Sequence, residues 1–419
     1  MRRVLKIFAY LAAAVVLLAA AGALYIKLAP VPTYTPRRVE FAVDTTPERV
    51  ARGKRAVESL CAGCHKDPAT GVLTGRQMID GPPQFGEIYS PNITQDRTYG
   101  IGDWTDGEIA YLIRTGVARD GRYTPPWMLK LPHVSDEDLK DVIAFLRSDD
   151  PLVRPAPVPD RAPRPSLLTK FLLRVVFEPL PYPDKPILAP PASDRVAYGR
   201  YLTVSRLNCH ECHSKDFARV DMMVPENSAG FLGGGNGMRD PQGQLVYTAN
   251  LTPDATGLAD WTEDDFRRTL KIGLRPDGRP LRSPMTARPE LTDDEISAMW
   301  AYLRTVPPID NVLPSPAPEA PIDSSDAGRV AFHKYGCHTC HGDDGGGLHD
   351  LRAAAVRYPD DESLIAYIKH PERTKPGVGM PTWDGTIGES EYAPLAHFVR
   401  SLSLARAANA GVAGARVPD

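Results

Sequence analysis

The sequence predicts an all-α fold, three tandem helical modules behind an N-terminal apolar helix. Helical periodicity flanks every cysteine pair, while alternating strand patterns are sparse. The first two modules repeat one another. A single apolar run is long enough to cross a bilayer.

That run extends from Ile7 to Ile26, behind Arg2, Arg3 and Lys6. At ~1.5 Å per residue it makes about 30 Å of helix, enough for a span. Export signals have shorter apolar regions, ~7–15 residues, so residues 1–29 read as a retained anchor. A cleaved signal ending at Ala19-Ala20-Ala21-Gly22 is the alternative. The positive flank predicts a cytoplasmic N-terminus with everything else outside.

Composition divides the remainder. A formal charge of −3 over 419 residues argues against a nucleic-acid partner. Proline, 42 residues, runs at twice the usual ~5% share and gathers between modules. The modules read as 44–149, 193–306 and 323–404, joined by Pro-rich linkers at 150–192 and 307–322. The first linker carries an apolar stretch, Leu167 to Phe177, too short to span. It is expected to pack on a neighbouring module, with the membrane surface as the other possibility.

The repeat is visible in the letters alone. Ser90-Pro91-Asn92-Ile93-Thr94 answers Thr248-Ala249-Asn250-Leu251-Thr252, and Asp103-Trp104-Thr105 answers Asp260-Trp261-Thr262. Asp120-Gly121-Arg122 answers Asp277-Gly278-Arg279, and Met128 answers Met285. Each module closes with an acid-rich helix start, Ser135-Asp136-Glu137-Asp138 and Thr292-Asp293-Asp294-Glu295, which suits an N-cap and the helix dipole. The third module lacks the Asn-x-Thr and Asp-Trp elements and reads as another subtype.

All six cysteines fall in one pattern used three times: Cys61-Ala62-Gly63-Cys64-His65, Cys209-His210-Glu211-Cys212-His213 and Cys337-His338-Thr339-Cys340-His341. This spacing lets two thiols reach the two vinyl groups of one haem and holds the next imidazole under the iron. Disulfides would not need the adjacent histidine, and tetrahedral zinc would strand one of three pairs. The modules therefore read as cytochrome c-like, with three covalent c-type haems and His65, His213 and His341 as proximal ligands.

An electron carrier of this kind takes a second axial ligand downstream. Pro125-Pro126-Trp127-Met128, Ser283-Pro284-Met285 and Val378-Gly379-Met380-Pro381 supply candidates in Met128, Met285 and Met380, on loops stiffened by proline. Met78, Met222, Met223 and Met238 are the rivals. His210 and His338 are expected on the solvent or propionate side of the attachment loops. His133, His333, His349, His370 and His397 read as surface or packing residues. Trp104 and Trp261 are expected in the cores or at a haem edge. Asn92 and Asn250 match the glycosylation triplet, but in repeated loops a backbone-capping role is expected.

Phe85-Gly86-Glu87-Ile88-Tyr89-Ser90-Pro91-Asn92-Ile93-Thr94, the Asp-Trp-Thr element and the Asp-Gly-Arg…Met order resemble the three-haem cytochrome c subunits of membrane-bound alcohol and aldehyde dehydrogenases. The resemblance covers about Asp44 to Val306 and implies His65 with Met128 and His213 with Met285 as axial pairs. Gly328 to Leu402 resembles a class I cytochrome c domain, which implies His341 with Met380. The expected function is an electron relay on the periplasmic face of a bacterial inner membrane, between a dehydrogenase or respiratory complex and a downstream acceptor. Such a chain is a cytochrome subunit rather than a catalyst by itself. A haem enzyme, peroxidase-like or thiosulfate-oxidising, is the alternative and needs an iron with an open or exchangeable site.

Overall fold

The computed structural model describes residues 2–413 apart from 68–69, 79–82, 125–127, 241–242, 315–323, 347–350, 352 and 375–379. Pro125, Pro126, Trp127, Val378, Gly379, His349 and the second half of the second linker lie outside the described residues. The chain is mostly helical. Helix α1, Arg2–Leu28, has none of its residues buried.

The first module is built on α2 (Pro47–Leu60), the short α3 (Ala62–His65), α4 (Asp106–Thr115) and α5 (Asp136–Leu146). The linker helix α6 (Leu167–Val175) follows. The second module has α7 (Arg195–Arg200), α8 (Cys209–His213), α9 (Glu263–Ile272) and α10 (Asp293–Leu303). The third has α11 (Ala327–Lys334), α12 (Cys337–His341), α13 (Ala354–Arg357), α14 (Asp361–Lys369), α15 (Pro371–Thr374) and α16 (Glu389–Ala413). Two antiparallel ribbons complete the described structure, β1 (Gly86–Glu87) with β2 (Arg164–Pro165) and β3 (Gly237–Arg239) with β4 (Leu245–Tyr247).

The sequence repeat becomes a repeat of helix ends. Thr105 and Thr262 each cap a helix reciprocally with the acid three residues on, Glu108 and Asp265. Both helices stop at a left-handed glycine, Gly116 at φ 81° and Gly273 at φ 84°. Ser135 and Thr292 cap α5 and α10, as their acid-rich starts predict.

One packing device is common to all three modules. The helix before each cysteine pair crosses the module's last helix at a glycine. A Cβ on Gly53 would lie 1.8 Å from the Asp141 carbonyl oxygen, one on Gly199 1.8 Å from that of Ala298, and one on Gly328 2.2 Å from that of Pro394. Backbones approach this closely only where no side chain intervenes. In the first module the crossing is also clamped by charge: Arg49 Nη1 and Arg52 Nε donate to the two oxygens of Asp141 at 2.9 and 2.6 Å. From glycine to first cysteine the chain runs eight residues in module one but ten in module two. The π-helical turn Tyr201–Arg206 takes up the excess, keeping the cysteine turn beside the core.

The Pro-rich linkers are laid on the modules in part. Leu180 N bonds Thr115 O at 3.1 Å, and Asp136 N bonds Ile187 O at 2.9 Å. The modules also touch directly. Ser135 N donates to the Tyr201 hydroxyl at 3.0 Å, and that hydroxyl donates onward to Asp138. Leu274 of module two is buried in the third module's core.

Candidate haem-binding sites

Each attachment motif begins as a tight helical turn against an apolar cluster. Cys61, Cys209 and Cys337 pack on three separate cores, formed around Phe145, Ile296 and Phe332. Burial pushes the thiols of Cys61 and Cys337 up to about 12 and that of Cys209 up to about 11. Reactive or zinc-binding cysteines show the opposite shift. A dry, apolar wall suits the hydrocarbon edge of a haem, and the thiols stand ready for thioether bonds rather than thiolate chemistry.

The histidines are oriented by the repeated loops. His65 Nδ1 lies 2.8 Å from the Pro91 carbonyl, and His213 Nδ1 lies 2.8 Å from that of Ala249. Donation there fixes the proton on Nδ1 and leaves Nε2 free to bind a metal. Burial lowers both imidazoles against the small opposing pull of that hydrogen bond, so they stay neutral, the ligating form. The main-chain oxygens are held as well: Gly75 N bonds His65 O at 2.8 Å and Gly234 N bonds His213 O at 2.7 Å. On these grounds the residues fit a c-type haem.

Asn92 and Asn250, the residues after those carbonyls, explain why the motif is Asn-x-Thr. Each is only 3% exposed, so neither is a glycan acceptor in the folded chain. Asn92 Oδ1 accepts from Thr94 N at 2.9 Å and Oγ1 at 2.7 Å, and Asn250 does the same with Thr252. Their amides reach outward to the segment leaving the module. Asn92 Nδ2 donates to Ala156 O and Val158 O at 2.9 and 3.0 Å, and Asn250 Nδ2 to Ile309 O at 2.7 Å. One residue thus shapes the histidine's acceptor loop and fastens the following linker. The third module lacks the motif.

The candidate distal ligands are placed less uniformly. Met285 packs with Cys209 on the second core and Met380 with Cys337 on the third. Met128 is half-buried, and its carbonyl accepts Lys130 Nζ at 3.1 Å; its neighbour Leu129, rather than Met128 itself, joins the first core. Among the rivals, Met223 is 37% exposed and Met238 lies in β3. Trp104 and Trp261 pack against their cores. His210 is not on the solvent side: it is 1% exposed, beside Phe231, and burial lowers it to about 4.

Sequence reasoning missed the residues that join sites. Arg288 Nη1 reaches the last turn of α2, and its charge is felt by the sulfurs of Cys209, Cys212 and Cys340. Lys130, beside Met128, and Glu211, inside the second attachment motif, are buried within each other's field. Burial draws the lysine down to about 8 and the glutamate up to about 7 against their mutual attraction. Only the crossing glycines left a signal, a Gly eight to ten residues before each motif.

Comparison with known proteins gives consistent likenesses. The family model described as cytochrome c oxidase, cbb3-type, subunit III matches residues 48–146 and 323–399, in the first and third modules. The chain is 28% identical to the cytochrome c subunit of alcohol dehydrogenase (quinone) from Gluconacetobacter polyoxogenes, over 81% of this chain and 77% of that one. It is 29% identical to the gluconate 2-dehydrogenase cytochrome c subunit of Pantoea cypripedii, over 81% and 82%. A diheme cytochrome c-type protein of Cereibacter sphaeroides is 30% identical over 60% of this chain and 83% of its own length.

Proposed function

This chain belongs to the family of c-type cytochromes that includes the cytochrome c subunits of quinone-dependent membrane dehydrogenases, and on that premise we propose that it is a three-haem electron relay. Electrons would enter from a dehydrogenase partner and leave to a downstream acceptor on the periplasmic face of a bacterial inner membrane. Helix α1 is read as the retained anchor, with Arg2, Arg3 and Lys6 on the cytoplasmic side.

Haem c supplies a one-electron ferrous–ferric couple that needs no bond made or broken. The chain's part is to hold and insulate it. Cys61 with Cys64, Cys209 with Cys212 and Cys337 with Cys340 are the attachment pairs. His65, His213 and His341 are the proximal ligands, and Met128, Met285 and Met380 the distal ones. The observation that carries the reading is the repeated Nδ1–carbonyl bond at His65 and His213, which reserves Nε2 for iron in two modules alike.

Packing of the modules on one another, rather than on free tethers, favours transfer between sites held at fixed separations. Intact-mass measurement of the purified chain tests the cofactor count: three haem increments are expected, and two would overturn it. Purification from native membranes tests the partner. A dehydrogenase subunit is expected to accompany the chain, and recovery of the chain alone would count against the subunit role.

A further inference from the structure

We propose that α6 is a second membrane contact, a surface helix lying at the headgroup boundary beside the end of α1. One face of α6 is committed to the first module. Thr169 Oγ1 and Ser166 N both donate to Phe85 O, at 2.8 and 3.0 Å, and Leu173, 4% exposed, is buried with Val117 and Tyr123. A second face is committed to the end of α1. Lys170 Nζ donates to Lys27 O at 2.8 Å, and Arg174 Nη2 donates to Pro30 O. Lys170 thus meets one of the carbonyls that the last turn of α1 leaves unpaired, and Arg174 meets one just beyond the helix end.

The remaining face is largely open among the described residues. Leu168, Phe171 and Val175 stand at i, i+3 and i+7, so they share one stripe. They are 45%, 43% and 58% exposed, and Leu167 and Val176 beside them are 47% and 57% exposed. A contiguous apolar patch of this kind calls for cover. The occupant is indicated by its neighbour. α1 is apolar between its charged ends, has no buried residue and reaches a mean hydropathy of 2.4, and α6 is bonded to the residues where it ends. Whatever apolar medium covers α1 ends beside the open stripe. An apolar face flanked by Lys170 and Arg174 is the composition of a helix lying in the interface plane. The expectation that this stretch packs on a module thus holds for Leu173 and fails for the outer stripe.

The position of the bilayer rests on α1 being retained; the chemistry of the stripe does not. The test places a nitroxide on Leu168→Cys or Phe171→Cys in the full chain, reconstituted without other subunits into phosphatidylcholine–phosphatidylglycerol vesicles. The ferrous state keeps low-spin iron diamagnetic, and Leu188→Cys, at a linker site 79% exposed, is the aqueous control. Both native side chains are exposed, and an unchanged visible spectrum checks the fold. Labels at 168 and 171 are expected to collide with oxygen more than with a water-soluble nickel chelate, and the label at 188 to do the reverse. Nickel collisions at 168 and 171 equal to those at 188 would overturn the proposal. Low accessibility to both reagents would also overturn it, since that marks protein cover. N-terminal sequencing of the same preparation reads the anchor separately: a start at or beyond about residue 20 fails the anchor reading whatever the labels show.

Discussion

Arg288 Nη1 donates to both the carbonyl and the hydroxyl of Ser59, at 2.6 and 3.0 Å, joining the second module to the helix turn two residues before Cys61. The same guanidinium lies close enough to Cys209, Cys212 and Cys340 for its charge to be felt at each sulfur. One cation thus acts on the second and third attachment motifs and is bonded to the chain just before the first. A fixed positive charge in a poorly screened interior favours the less positive, reduced state of a neighbouring redox centre.

Removing that charge is expected to act on two readouts. Arg288→Gln should lower unfolding free energy by about 1.5–3 kcal/mol, the range for hydrogen bonds to a charged group, in urea titrations. It should also lower the potentials of the haems at the second and third motifs in spectroelectrochemical titration. Arg288→Lys should restore most of the potential and less of the stability, because the lysine keeps the charge while its different shape and reach do not place an ammonium where Nη1 sits on Ser59. Potentials unchanged in Arg288→Gln would mean the arginine is only a brace.

Asn92→Ala and Asn250→Ala separate the two tasks of the Asn-x-Thr loop. Each strands buried partners, Thr94 or Thr252 on one side and linker carbonyls on the other. A cost of about 1–3 kcal/mol is expected. Limited proteolysis should open the 150–192 linker in Asn92→Ala and leave it closed in Asn250→Ala. Equal cleavage in both would show that the amide does not fasten the linker.

Much of this architecture was legible because its signals are local. A thiol pair and the next imidazole must sit on one turn to serve one haem, so the motif is contiguous. The helix caps read at Ser135 and Thr292 depend on residues three apart. Arg288 and Ser59 are 229 residues apart, and nothing in either neighbourhood requires the other. Where the linkers lie was not legible for a related reason. Proline content reports the stiffness of a free chain, whereas Ala156, Val158 and Ile309 are held by side chains of the preceding module. The burial of His210 was not legible because its setting is made by Phe231 across a loop, beyond what the attachment motif itself specifies.

Glu295 gives a pH dependence with a definite sign. Burial alone would raise its carboxyl, but Arg206, at 2.6 Å, and the Thr292 N–H and hydroxyl outweigh burial and hold it below its ordinary 4.5. A carboxylate depressed in the folded state contributes stability above the unfolded value and loses it as pH falls through the folded one. The wild type should therefore exceed Glu295→Gln by about 2 kcal/mol at pH 7, with the gap closing below about pH 4.5. A constant gap in urea unfolding from pH 7 to 3.5 would rule out the Arg206 pair as its source.

The three methionines are best tested against one another, because the structure supports them unequally. Met285 and Met380 share cores with their attachment cysteines, whereas Met128 follows residues outside the described structure and is tied in by its carbonyl. A relay with every iron held by six ligands leaves no vacancy for an added gas. The dithionite-reduced wild type should accordingly bind no carbon monoxide. Met128→Ala, Met285→Ala and Met380→Ala should each bind one equivalent and lose the weak absorbance that a sulfur–iron bond gives the ferric protein. Binding of one equivalent by the wild type, left unchanged in one of the variants, would mark that methionine as wrongly assigned. The open site so revealed would favour a haem enzyme over a pure carrier. Because the readout is a stoichiometry, it separates the two readings even where a variant is modestly destabilised.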